Sequence, residues 1–130
     1  MPPALRSVLR ELAETFIPET AGASDDQWAA LEARVEQALS VRDQAMRRQL
    51  GLFVRVLAAA ARVRYRTGLD SLEPARRTAL LDSFARSPVL LFRRGIWGLR
   101  TLIMLGWYTQ PSVIAAVGYR ADPAGWDARR

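Results

Sequence analysis

The sequence predicts an all-α fold, a small bundle of about five helices followed by an irregular aromatic C-terminal tail. Long segments carry apolar residues at helical spacing, and none shows the alternating pattern of a half-buried strand. Proline and glycine fall mostly between these periodic segments, where connections are expected. The length of 130 residues fits one domain, so we expect a single helical domain over residues 1–130.

The first helix is expected over residues 3–16, because apolar residues recur there every three or four positions before Pro18. A second helix begins after Ser24, which forms a capping-box pattern with Gln27. Its apolar pattern continues without a proline and predicts one long helix over residues 25–66.

The second half of that long helix is apolar on almost every side, which is typical of a helix in the middle of a bundle. Gly51 marks either a division between the two halves or a close helix crossing. Gly68 is available as the residue that ends the helix in a left-handed conformation.

Three further helices complete the predicted bundle. Ser71 can cap a helix over residues 72–85, and Pro88 begins another over residues 88–108. A short final helix is expected over residues 111–117, ending at a glycine. Residues 118–130 form the predicted tail, which has turn-forming residues and aromatics.

The residue types exclude most catalytic chemistry in this chain. Cysteine and histidine are both absent, which removes disulfides, thiolate nucleophiles, Cys/His zinc sites and histidine acid–base catalysis. Glu11 with Glu14, and Glu32 with Glu36, form carboxylate pairs on helices, but solvated surface pairs explain them more simply. We therefore predict no catalytic, cofactor-binding or metal-binding residue.

The chain is basic, with 19 basic and 13 acidic residues and a net charge of +6. Every basic residue is arginine, which coding bias explains more simply than nucleic-acid binding does. A basic helical module that binds nucleic acid or an anionic membrane surface remains the alternative function. An anion-binding cluster could draw on residues 62–66 with Arg76 and Arg77, but neighbours two apart on a helix do not share a face.

No targeting or membrane-spanning segment is predicted. Charged residues interrupt the first sixteen positions, so the apolar core of a signal peptide is missing. The apolar segment from Val89 to Tyr108 contains three arginines, which disfavours a membrane span. We therefore expect a cytoplasmic protein.

The segment from Leu105 to Trp126 is unusually rich in aromatic residues among proline and glycine. Such residues tie a chain end to the chain's own helices or to a second protein. Gly95 and Gly98 lie inside a helical pattern, where small residues permit close packing. We predict the following partner-binding residues: Trp97, Trp107, Tyr108, Pro111, Tyr119, Arg120 and Trp126.

Three segments together resemble one family. They are LRELAETFIPETAGAS, LEPARRTALLDSF and SPVLLFRRGIWGLRTLIMLGWYTQPSVIAAVGY. They are similar to the gluconate 2-dehydrogenase subunit 3-like proteins. The resemblance implies a non-catalytic helical subunit of a hetero-oligomer, whose large partner binds FAD and oxidises an alcohol or sugar hydroxyl. It also implies a structural signature near the partner, made by Trp107, Tyr108, Pro111, Gly118 and Tyr119.

The chain departs from the resembled pattern at both ends. It lacks the twin-arginine leader that many members carry, and YRADPAG stands where the family usually has Gly-Tyr-Pro-Gly. From the resemblance we expect a small accessory subunit that binds and stabilises a large flavoprotein. FAD is expected in the partner and not in this chain.

Overall fold

The computed structural model describes the backbone of residues 1–120 and the side chains of residues 1–115. Within this part the predicted all-α fold is confirmed: there are six α-helices, two short 3₁₀ turns and no strand. The helices are α1 (Pro3–Phe16), α2 (Asp25–Ser40), α3 (Gln44–Tyr65), α4 (Pro74–Ala85), α5 (Leu90–Tyr108) and α6 (Pro111–Arg120). The 3₁₀ turns are Pro18–Gly22 and Leu69–Ser71.

The prediction of one long helix over residues 25–66 is wrong, because α2 ends at Ser40 and a new helix, α3, begins at Gln44. Asp43 begins α3: its Oδ1 accepts a hydrogen bond of 2.7 Å from the backbone N–H of Met46. A side chain that caps free backbone donors stabilises a new helix start without any proline. Gly51 therefore lies inside α3, where an added Cβ would be 3.1 Å from Pro2 Cβ.

Local capping explains where the other helices start and stop. The predicted capping box is confirmed, since Ser24 and Gln27 exchange side chain-to-backbone hydrogen bonds of 3.0 and 3.2 Å. Ser71 does not cap a helix, because it ends a 3₁₀ turn and α4 begins only at Pro74. The left-handed residue after α3 is Arg66, with φ 58°, and not Gly68.

The core is organised around α5, and not around α3 as the sequence predicted. One side of α5 is buried through Ile96, Leu99, Ile103 and Trp107, and α5 packs against α2 and α4. The second half of α3 keeps an exposed side, since its arginines interrupt the apolar pattern on that side.

The last helix extends further than predicted. The helix expected over residues 111–117 continues to Arg120, so residues 118–120 belong to α6 and not to an irregular tail. The rest of the predicted tail, residues 121–130, lies outside the described residues.

Candidate partner-docking surface

The described residues bring together no set of groups suited to catalysis. Within them, no cluster of three or more Asp, Glu, His or Cys side chains could hold a metal ion. Glu36 is occupied by the amino group of Met1 and by Arg6, whose Nη2 lies 3.0 Å from Glu36 Oε2. The hydrogen bond from the Met1 amino group, aided by the charge of Arg6, lowers the pKa of Glu36. This carboxylate is therefore an ion-pair partner on the surface.

The outward side of α5 carries large apolar residues that nothing in the described chain covers. We name this surface the α5 face, and its members are Leu90, Leu91, Trp97, Leu105 and Tyr108, each exposed. Their spacing places them on one side of the helix, opposite the buried side, where the exposed Arg94 and Thr101 lie among them. An exposed apolar surface on one helix is typical of a protein–protein contact.

Trp97 is the largest side chain of the α5 face, and 63% of its surface is exposed. The guanidinium carbon of Arg100 lies 5.9 Å from the centre of its ring. A cleft of about 290 Å³ opens beside it between α1, α4 and α5, and Phe16, Leu81 and Ile96 form much of the apolar lining. The indole and the cleft together form a protrusion next to a recess.

Gly98 gives the α5 face a notch. Leu91, Gly98 and Leu105 follow one another at seven-residue intervals, so they lie along one line of the helix surface. A Cβ added to Gly98 would meet no heavy atom within 4 Å. The packing of the described residues does not explain a glycine there, although glycine inside a helix costs about 1 kcal/mol relative to alanine.

Tyr108 ends the α5 face next to the loop before α2. Its hydroxyl donates a long hydrogen bond of 3.5 Å to Glu19 Oε2. Partial burial, together with the negative charge of Glu19, raises the pKa of the Tyr108 hydroxyl. The phenol is therefore neutral and presents both a ring and a hydrogen-bonding group.

The junction of α5 and α6 is anchored to α2 by polar contacts. The buried Gln110 donates from Nε2 to the carbonyl oxygens of Gln27 at 3.2 Å and Gly106 at 3.1 Å. Arg34 Nη1 donates to Thr109 Oγ1 at 3.0 Å. These bonds fix the direction in which α6 leaves the bundle.

The predicted partner-binding residues fall into three groups. Trp97, Tyr108 and Pro111 are exposed on α5 and α6. Trp107 is only 5% exposed and belongs to the core, so its predicted contact with a partner is corrected: it packs inside this chain. Tyr119 and Arg120 lie in α6, although their side chains are outside the described part, as is all of Trp126.

Sequence reasoning missed several exposed apolar residues. Leu90, Leu91 and Leu105 on α5, and Ile114 on α6, are each roughly half exposed or more. Because α5 is apolar on most sides, its periodicity does not reveal which side faces the core. The seven-residue spacing from Leu91 through Gly98 to Leu105 is the signal that could have found two of them.

The described residues define a small helical protein with a candidate docking surface, the exposed α5 face. The chain belongs to the family described as gluconate 2-dehydrogenase subunit 3, whose family model matches residues 4–127. It is therefore related to the small subunits of an oxidoreductase complex, which implies a larger oxidoreductase partner. No curated protein and no solved structure is significantly similar to the chain. None of the described helices combines the length and the apolar character needed to cross a membrane.

Proposed function

We propose that this chain is a non-catalytic accessory subunit that binds and stabilises a large FAD-dependent subunit, which oxidises an alcohol or a sugar hydroxyl. The family match supports the accessory role, because the family is a dehydrogenase small subunit. The observation that carries the proposal is the α5 face, with Trp97 exposed beside an apolar cleft.

Trp97 has the properties of an energetic centre of such a contact. Tryptophan is enriched among the few interface residues that contribute most of the binding energy, and these residues occupy well-packed pockets. The indole would enter a recess on the large subunit, while an apolar side chain of that subunit would fill the cleft beside Ile96. Both contacts remove apolar surface from water, which favours association.

The notch at Gly98 would receive a close-packed element of the large subunit between Leu91 and Leu105. Missing side-chain atoms allow two backbones to approach closely. Tyr108 would add a hydrogen bond at the end of the same face, since tyrosine is suited to an interface with one apolar and one polar side. The role of the chain in the complex is thus to bind, and the proposed FAD belongs to the partner.

Co-expression tests this proposal. The tagged chain is produced together with a candidate large FAD-dependent dehydrogenase subunit from the same genome, and the purified product is examined for a second polypeptide and for flavin absorbance. We expect the wild-type chain to retain a yellow large subunit and Trp97→Ala to retain much less. An intact complex with Trp97→Ala, or a large subunit that is equally stable and soluble without the small chain, would contradict the proposal.

A matched control separates the α5 face from general loss of apolar surface. Val41 is 80% exposed in the loop between α2 and α3, so Val41→Ala removes exposed apolar atoms elsewhere. We expect Val41→Ala to retain the complex at the wild-type level. Circular dichroism of both variants confirms that each is folded.

A further inference from the structure

The outward side of α3 is a second surface, separate from the α5 face. We name it the α3 face, and its members Arg48, Leu52, Arg55, Ala59, Arg62 and Val63 are all exposed. Leu52 is 62% exposed and Val63 is 83% exposed. Within the described residues two large apolar side chains of this helix are thus uncovered, and arginines flank them.

The spacing of this face is that of a helix-pairing seam. Positions 48, 52, 55, 59 and 62 alternate between steps of four and three residues, as the contact positions of paired helices do. Arg48, Arg55 and Arg62 are therefore one heptad apart and about 10.5 Å apart along the helix axis. Leu52 and Ala59 occupy the positions between them. The face presents three evenly spaced positive charges with apolar residues between.

The arginines of the α3 face form no close ion pair within the described chain, although the Asp70 carboxylate lies near Arg62 beside Gly68. Helix α3 contains no acidic residue, from Gln44 to Tyr65. The ion pairs formed among residues 1–115 involve Met1, Arg6 and Arg86, and none involves an arginine of this face. A groove of about 590 Å³ between α3 and residues 1–4 adjoins the face and is lined by Arg48, Leu52 and Arg55.

We propose that the α3 face binds an acidic helix of a partner protein, one that carries Asp or Glu at seven-residue intervals beside small apolar side chains. Carboxylates at that interval match the three guanidinium groups, because arginine pairs with carboxylates in a defined two-pronged geometry. The small apolar residues of such a helix cover Leu52, Ala59 and Val63. This surface does not depend on the proposed function of the α5 face.

Two other kinds of partner fit the face less well. An anionic membrane would bury little apolar area here, because Leu52 and Val63 are the two large apolar side chains of the face and membrane binding scales with that area. Nucleic acid would pair with the arginines but would leave Leu52 and Val63 exposed, and the face has no aromatic residue for base stacking. The protein helix accounts for both the charges and the apolar residues.

Peptide binding to the full chain tests the proposal. The probe is a synthetic helical peptide about three heptads long, with Glu at one position of each heptad and Leu and Ala at the facing positions. A second peptide has the same composition, with its Glu residues distributed around the helix. By fluorescence anisotropy at low salt, we expect the heptad peptide to bind at least about tenfold more tightly than the redistributed peptide.

Charge-matched variants locate the binding surface. Arg48→Gln/Arg55→Gln/Arg62→Gln should weaken binding of the heptad peptide about tenfold or more. The control Arg42→Gln/Arg86→Gln/Arg93→Gln removes the same net charge from exposed positions elsewhere and should bind nearly as well as wild type. Leu52→Ser should also weaken binding, whereas Val41→Ser should not. Circular dichroism and thermal melting show that each variant is folded.

Several results would overturn the proposal. One is equal affinity for the two peptides, or no binding of the heptad peptide. Another is an equal loss in the two triple variants, which would reveal attraction by net charge alone. Tighter, Arg55-dependent binding to phosphatidylcholine–phosphatidylserine vesicles or to a DNA duplex would identify the other kinds of partner. Self-association of the wild-type chain that is lost in the first triple variant would identify a second copy as the occupant.

Discussion

Gly106 on α5 and Leu31 on α2 lie so close that a Cβ added to Gly106 would be 2.7 Å from Leu31 Cδ1 and 3.4 Å from the Leu31 carbonyl oxygen. A Cβ atom does not fit 2.7 Å from Leu31 Cδ1 unless the leucine side chain or the helix moves. The glycine therefore sets the separation between α2 and α5. A larger residue at this position would disturb the packing of both helices, because Leu31, the side chain it would meet, is fully buried.

Alanine at Gly106 is expected to destabilise the chain by about 1–3 kcal/mol, the usual cost of overpacking a core. Alanine at Gly98, on the same helix, is the matched control because an added Cβ meets nothing within 4 Å. There we expect a gain of about 0.5–1 kcal/mol from helix propensity. Urea denaturation followed by circular dichroism measures both. Equal effects of the two substitutions would contradict the close crossing.

Arg77 is expected to be essential to the fold, although it is charged. It is only 6% exposed, and its guanidinium donates to the carbonyl oxygens of Glu11 at 2.9 Å and Leu72 at 3.1 Å. Arg77→Met keeps most of the volume but leaves both oxygens without that donor, so we expect a loss of about 1–3 kcal/mol. Chemical denaturation checks this value.

Arg86→Met is the control for that measurement. Arg86 forms an exposed pair with Asp82 at 3.3 Å, and exposed pairs contribute about 0–1 kcal/mol. A loss at Arg77 no larger than the loss at Arg86 would show that the buried guanidinium does not connect α1 and α4.

Arg66 is in a left-handed conformation, with φ 58° and ψ 25°, at the end of α3. This conformation costs a residue with a Cβ roughly 1 kcal/mol, and glycine adopts it freely. We therefore expect Arg66→Gly to raise the free energy of unfolding by about 0.5–1 kcal/mol, as measured by denaturation. Arg55→Gly, inside the same helix, should lower it by about 1 kcal/mol. A loss in both variants would contradict this account of the helix end.

Tyr108 is expected to make stability sensitive to alkaline pH. Burial and Glu19 raise the pKa of its hydroxyl in the folded chain, so the folded state holds the proton more tightly than the unfolded state. The resulting stabilisation is present below the usual tyrosine pKa of about 10 and is lost as the pH rises through the higher folded value. Tyr108→Phe should flatten this alkaline decline in thermal melting. If Tyr108→Phe leaves the alkaline decline in stability unchanged, the decline comes from other titrating groups and not from Tyr108.

The sequence predicts helix starts well where a local side chain creates them. Ser24 with Gln27 is such a case, since both partners of the capping box lie within one turn. Asp43 caps in the same way, but the uninterrupted apolar pattern on both sides concealed it. The end of α3 at Arg66 was not predicted, because Gly68, two positions later, is a residue type that adopts the left-handed conformation more readily.

The candidate site is harder to predict, because tertiary packing decides which side chains of a helix face the core and which face solvent. Trp97 and Trp107 both lie on α5, yet one is exposed and the other is in the core. No local feature separates them, since α5 is apolar on most sides. Because Trp107 is in the core, a truncation that removes it would also disturb the bundle, whereas point variants on the α5 face leave the core intact.

The α5 face is proposed to bind the large subunit through Trp97. The most direct test is the dissociation constant of the purified small chain for the purified large subunit, measured by isothermal titration calorimetry for the wild type and for Trp97→Ala. We predict that Trp97→Ala raises the dissociation constant about thirtyfold or more, as expected when a tryptophan central to an interface is truncated. A dissociation constant unchanged by Trp97→Ala, with both chains folded, would contradict the account.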